Sequence, residues 1–263
     1  MVWDGGGPTI LLLHGDMRTS RSFDALAREL KGEFRIVALD ARGHGGSDWP
    51  PTGYSIRDRV DDLTAFCKAI GLKDAVGIGH SMGGGIVPLS SQDAPGIFSS
   101  MVLLEPDFVF DDAFHRRGVR RFNRPRRAWA SRSELQAYLG QHRMAGRWRD
   151  DVIEDVVQHE TMEMPDGTVE MKWSTSTFNV EDGPGNRYDL RPVFRDMNIP
   201  GLFVLGEENA GYYADLARIA SDRPGLRSVT VSGAGHNMYM ERPDAVAALI
   251  KSFVAGEDLP ETM

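Results

Sequence analysis

The chain opens with short, unbroken apolar runs separated by longer stretches in which apolar residues recur every three or four positions. Thr9–Leu13 is the first run and residues 34–39 the second, and each stops abruptly at a polar or glycine-rich turn. Residues 75–78 form a third run that leads into Gly79, and residues 100–104 a fourth. Strands buried on both faces read this way, because alternation develops only where one face meets water. Between the runs, Phe23, Leu26, Ala27 and Leu30 share one helical face, as do Val60, Leu63, Phe66 and Ile70. The rhythm predicts an α/β fold with a mostly parallel, doubly wound sheet and helices on both faces.

The rhythm stops near Asp107 and resumes near Ile199, with strands expected over residues 200–206 and 226–231 and helices over 212–220 and 242–254. The intervening stretch is polar and helical in pattern, with Trp129, Trp148 and Trp173 scattered through it. It is expected to be a helical cap over the C-terminal edge of the sheet, where ligands bind in such folds. The expected division is a core of residues 1–106 and 188–263 and a cap of residues 107–187.

Composition narrows the class. A formal net charge of −8 over 263 residues argues against nucleic acid as a partner. One cysteine, Cys67, permits no intrachain disulfide, and no secretory leader or run of about 18 apolar residues is visible. A cytoplasmic protein that neither enters membranes nor needs a metal or organic cofactor is the expectation. The oligomeric state is left open, a homodimer included.

Three glycine-punctuated turns carry the candidate chemistry. Gly79-His80-Ser81-Met82-Gly83 matches G-x-S-x-G after a strand and before a helix, the context in which the turn lifts a serine hydroxyl clear of the sheet. His14-Gly15-Asp16 ends the first strand, and Gly233-Ala234-Gly235-His236 follows the last. Of seven histidines, His236 alone sits on a loop able to reach Ser81. His44, in the turn after the second strand, reads as a packing residue.

With these motifs the chain resembles the α/β-hydrolase superfamily over nearly its whole length. The resemblance implies a serine–acid–histidine relay in that chain order, with Ser81 as nucleophile and His236 as base. It also implies an oxyanion hole made by the backbone N–H groups of Asp16 and Met82. Haloalkane dehalogenases and epoxide hydrolases of this fold carry Asp at the elbow, so Ser81 makes both chemistries improbable. Members usually begin with two further antiparallel strands, and only eight residues precede Thr9, so that edge is expected to be trimmed.

The acid departs from the usual pattern. The slot that commonly holds Asp, after the strand at residues 200–205, is occupied by Asn209. Glu105 ends an apolar strand at the same sheet edge as Ser81 and is the preferred acid, with Glu207 or Glu208 as the alternative. The fungal zearalenone lactonases, which this chain resembles in length, place a glutamate after the corresponding strand.

The cap is rich in arginine between residues 112 and 149 and in Asp and Glu after it, which reads chiefly as a solvated surface of mutual ion pairs. The sharper expectation is an inward arginine that binds a substrate carboxylate or phosphate. Met17 and Trp173 are candidates for the pocket wall. The expected activity is hydrolysis of a carboxylic ester or lactone of a small to medium, largely apolar molecule through an acyl-enzyme. Carbon–carbon bond hydrolysis, cofactor-free perhydrolysis and a ligand-binding receptor with vestigial hydrolysis are the competing readings, since fold alone does not set substrate.

Overall fold

The computed structural model describes residues 1–179 and 187–263; the part of the expected cap at 180–186 lies outside the described residues. The elements in chain order are β1 Val2–Trp3, β2 Thr9–Leu13, α1 Asp24–Leu30, β3 Arg35–Leu39, α2 Ile56–Ala69, β4 Ala75–His80, α3 Met82–Asp93 and β5 Phe98–Leu104. There follow β6 Val109–Phe110, α4 Asp112–Phe122, β7 Ala128–Trp129, α5 Arg132–Gln141, α6 Asp150–His159, β8 Thr161–Glu163, β9 Val169–Met171 and β10 Tyr188–Asp189. The chain ends with α7 Arg191–Arg195, β11 Gly201–Gly206, α8 Ala214–Ser221, β12 Leu226–Val231, α9 Met238–Glu241 and α10 Pro243–Ala255.

Seven strands form the central sheet in the order β1-β3-β2-β4-β5-β11-β12. All neighbours pair in parallel except β1, whose Val2 faces Val37 antiparallel. The N-terminal edge is therefore short, as its few residues require, yet keeps one antiparallel strand. Successive strand residues feed opposite faces of the sheet. Ile10, Ile36, Ile78, Val102, Val204 and Val229 join one core with α1 and α10. Leu11, Met101, Leu103, Phe203 and Leu205 join the other with α2 and α3. Both faces are dry, which explains the unbroken apolar runs.

Helix α2 begins where Ser55 and Asp58 close a reciprocal capping box. The first expected helix is split: Ser20–Phe23 is a 3₁₀ turn, capped by the Thr19 side chain, before α1 proper.

The insertion between β5 and β11 is not wholly helical. Besides α4, α5 and α6 it holds an antiparallel sheet ordered β7-β9-β8 and a β6–β10 pair. The β8–β9 hairpin turns at Asp166-Gly167, with Gly167 at φ 82°. The Pro-Asp-Gly turn signal was there, but two- and three-residue strands are too short for alternation to register. The insertion docks on the loop after β3, where Gly45 N–H donates to Lys172 O at 2.7 Å and Ser174 N–H to Gly43 O at 2.8 Å.

Candidate active site

Ser81 sits in the turn between β4 and α3 with φ 51° and ψ −115°, a left-handed conformation that a serine adopts only under constraint. The constraint is visible in its neighbours. Ser81 N–H donates to Leu104 O at 3.0 Å, and Asp107 N–H donates to Ser81 O at 2.9 Å, so the end of β5 staples the turn. Side chains are excluded around it: a Cβ on Gly79 would lie 2.3 Å from Gly83 O, and one on Gly83 2.2 Å from Leu13 O.

The proposed oxyanion donors flank the serine. Met82 is the first residue of α3, so its N–H has no carbonyl one turn earlier to bond, and the helix N-terminus favours negative charge there. Asp16 follows Gly15, whose added Cβ would stand 3.0 Å from Ser81 Cβ, so this loop passes directly against the nucleophile.

Glu105 also has positive φ, at 39°, and is fully buried. Its Oε2 lies 2.7 Å from His236 Nδ1. Gly206 N–H donates to Oε1 at 2.8 Å, and the Asn209 amide donates to Oε2 at 2.9 Å and to Oε1 at 3.2 Å. Asn209 thus occupies the customary acid slot but serves the Glu105 carboxylate as a hydrogen-bond donor, where an aspartate would repel it. The alternative acids face elsewhere: Glu207 accepts from Gly233 N–H at 2.7 Å, and Glu208 pairs with Arg147.

The His236 imidazole is 29% exposed. Burial pulls its pKa down, but the hydrogen bond and charge of Glu105 outweigh burial and leave it above the ordinary histidine value. His80, the variable position of the serine motif, has its pKa driven well down by burial. Its neutral ring donates from Nε2 to His236 O at 2.8 Å, a contact that nothing in the motif announces. His14 is likewise kept neutral by burial; its Nδ1–H donates to Gly15 O at 2.8 Å while Nε2 accepts from Ala41 N–H at 3.0 Å.

One further residue at the nucleophile escaped the sequence reading. Ser81 Oγ donates to Asp107 Oδ2 at 3.4 Å. Burial and the nearby charge of Asp16 push the Asp107 carboxyl up to about 6. Its only sequence signal was its place two residues beyond Glu105, where it read as part of a turn.

A narrow cavity of about 50 Å³ adjoins Met82 and Asp16; Tyr54, Ile56, Ile86, Phe110, Phe114 and Phe178 give it a largely apolar wall, which Arg59, Asp111, His115 and Thr177 also line. Neither Met17 nor Trp173 belongs to this wall. Met17 has φ 63° in the oxyanion loop, and Trp173 forms a backbone bridge with His44 and lies against Phe178, so it secures the insertion to the core. Several arginines of the insertion end in ion pairs, Arg126 with Glu170, Arg132 with Glu163 and Arg149 with Asp151. Among the described residues one carboxylate–histidine group, Asp24, Asp155 and His159, brings possible metal ligands within 4.8 Å, but Arg21 and Arg28 already pair with its two carboxylates. No helix among the described residues is long and apolar enough to cross a membrane.

Comparison with known proteins gives this geometry its context. The 2-(acetamidomethylene)succinate hydrolase of Mesorhizobium japonicum is 29% identical over 254 residues, covering 95% of this chain and 89% of that protein. A crystal structure of E-2-(acetamidomethylene)succinate hydrolase superposes with a TM-score of 0.83 at 28% identity, covering 97% of this chain and 94% of that one. The pimeloyl-[acyl-carrier protein] methyl ester esterase of Xanthomonas campestris is 25% identical over 263 residues, covering 95% and 96%. The family model described as the alpha/beta hydrolase family matches residues 10–249, and the chain belongs to that family of hydrolases.

Proposed function

We propose that this protein is a serine hydrolase that cleaves a carboxylic ester or lactone of a small to medium, largely apolar molecule through an acyl-enzyme on Ser81. The observation that carries the reading is the 2.7 Å contact between Glu105 and His236, whose carbonyl accepts from His80, the residue before the strained Ser81. Glu105 holds Nδ1 protonated, which leaves Nε2 free to accept the serine proton. In attack the hydroxyl turns from Asp107 to Nε2, and the carbonyl oxygen gathers negative charge between the N–H groups of Asp16 and Met82. His236 then passes its proton to the leaving group and activates the water that releases the acyl group. The apolar cavity wall supports an apolar substrate, and the intact Glu105–His236 pair counts against a vestigial receptor.

A second reading keeps this chemistry but gives the substrate a carboxylate. It is favoured by Arg59, a cavity-lining cation that also pairs with Asp16 at 3.5 Å and donates to Thr177 O at 2.7 Å, and by the succinate in the name of the Mesorhizobium relative.

The test is a panel of neutral and anionic esters and lactones with wild type and Ser81→Ala, alongside intact-mass detection of a trapped acyl adduct. An adduct on the Ser81 peptide and loss of turnover in Ser81→Ala support the proposal. Wild type no faster than Ser81→Ala on every compound rejects it. A clear preference for anionic esters selects the second reading.

A further inference from the structure

Building on the reading of His236 as general base, we propose that Arg147, a residue of the insertion, is a positioning residue that fixes the His236 loop and makes the catalytic base dependent on the seating of the insertion.

The loop at residues 233–236 carries the base, and backbone contacts hold most of it. From the core side, Glu207 accepts from Gly233 N–H, Glu208 N–H donates to Ala234 O at 3.2 Å, and His80 donates to His236 O. Gly235 N–H donates to Glu241 Oε2 at 3.0 Å, and that same oxygen accepts from Arg147 Nε at 3.1 Å. Arg147 comes from the 3₁₀ turn Ala145–Arg147, between α5 and α6. Its guanidinium also donates to Gly233 O and pairs with Glu208. One side chain therefore grips the loop directly at Gly233, indirectly at Gly235 through Glu241, and at the segment after β11 through Glu208.

Two features make the grip matter. Glu241 is only 6% exposed, so without Arg147 it becomes a buried carboxylate with no cation beside it, a costly state that the loop would relieve by moving. The surrounding space is also open. Arg147, Glu208, Asn209, His236 and Glu241 line a cavity of about 430 Å³ whose wall is polar apart from Met144 and Gly235. On this side hydrogen bonds, rather than apolar packing, define where the imidazole stands. The guanidinium fork suits the task because it donates in several fixed directions at once, which a lysine ammonium on a flexible stem does not.

The experiment compares Arg147→Ala and Arg147→Lys with wild type, His236→Ala and Glu105→Gln. It reads kcat and KM on a turned-over ester and the far-downfield proton resonance of a hydrogen-bonded imidazole N–H. Displacement of the base is expected to lower kcat about 10–100-fold in Arg147→Ala with KM little changed. The Nδ1–H resonance should broaden or vanish, the same change expected of Glu105→Gln. Arg147→Lys keeps a cation beside Glu241 and so preserves the fold should the alanine variant unfold; its expected kcat lies between the two. The charges that act most on His236 are Glu105, Asp107 and Arg121, and the His80 ring packs 4.7 Å from it; none of these is altered in either variant, while Arg143, Arg147, Glu208 and Glu241 face it across the cavity. Wild-type kcat with an intact resonance in both variants overturns the proposal. If His236→Ala itself keeps wild-type activity, the underlying reading of the base fails instead, and the two failures are distinguishable.

Discussion

Glu105→Gln is the most informative single substitution, because every partner of the carboxylate is a donor. Gly206 N–H faces Oε1, His236 Nδ1 faces Oε2, and the Asn209 amide bridges both oxygens. A glutamine offers one oxygen and one NH₂. If the NH₂ faces Gly206, two donors confront each other on fixed backbone in a buried site, costing about 1–3 kcal/mol. If it faces His236, it donates to Nδ1 and drives the ring into the tautomer with its proton on Nε2. The second arrangement satisfies more bonds and removes the base from service. Such an amide swap in a serine–histidine–acid relay costs about 10⁴ in turnover, or roughly 5 kcal/mol of barrier.

The pH profile supplies an independent sign. Glu105 is what holds the His236 pKa up against burial, so its loss lets burial dominate and moves the acid limb of kcat/KM to lower pH. The assay is initial-rate hydrolysis of p-nitrophenyl butyrate from about pH 5 to 9, with thermal melts as a check on folding. A folded variant within about tenfold of wild type, with an unmoved acid limb, refutes the assignment of Glu105.

Three other outcomes follow from the same geometry. Asn209→Asp places a second carboxylate beside Glu105, where Asn209 Nδ2 now stands 2.9 Å from Oε2. The pair must then share a proton, so kcat should fall near neutral pH and recover at alkaline pH; a profile matching wild type argues against it. Glu160 is fully buried and burial pushes its carboxyl up to about 7 from the ordinary 4.5, so the folded state holds that proton more tightly than the unfolded chain. Its contribution is complete below the unfolded value and is lost as pH rises through the folded one, on the order of 3 kcal/mol. Urea unfolding at acidic and alkaline pH should show this slope in wild type and less of it in Glu160→Gln, with any slope from the raised His236 remaining; parallel curves reject the assignment. Gly83→Ala drives a Cβ to 2.2 Å from the backbone oxygen of Leu13 and should destabilise by about 3 kcal/mol or more; urea unfolding with a loss under about 1 kcal/mol disproves the clash.

The core was legible because its strands are dry on both faces and its turns carry glycine. Gly201–Gly206 fell where the apolar run placed it, and Ser81 and His236 were marked by their strand-end turns. The insertion was less legible, because its short strands cannot set up a period. Asn209 looked like a missing acid, since a sequence that points to Glu105 does not show that the amide of Asn209 donates to it. Nothing local set Asp107 apart from an ordinary turn residue, or Arg147 from the other arginines between residues 112 and 149. Their significance lies in which loops the sheet brings side by side, a non-local property. His80 was hidden inside a motif that specifies only its neighbours.

The placement of Glu105 has a consequence for how activity is lost as the molecule opens. In the proposed relay the nucleophile Ser81 and the acid Glu105 belong to one β4–α3–β5 unit, yet Glu105 crosses in front of β11 to reach a histidine carried beyond β12. Tyr213 fastens the backbone carbonyl of Glu105, and Gly206 and Asn209 fasten its side chain. The strand-to-strand spacing of the sheet acts as a ruler for the relay. Partial opening that frees the chain after residue 200 would remove the histidine together with Gly206, Asn209 and Tyr213, which fasten Glu105, and would leave the Ser81 turn in place with neither base nor positioned acid. On the proposed mechanism activity reports on the last two parallel pairings, and on heating it is expected to fade as β11 and the edge strand β12 loosen, ahead of the N-terminal half.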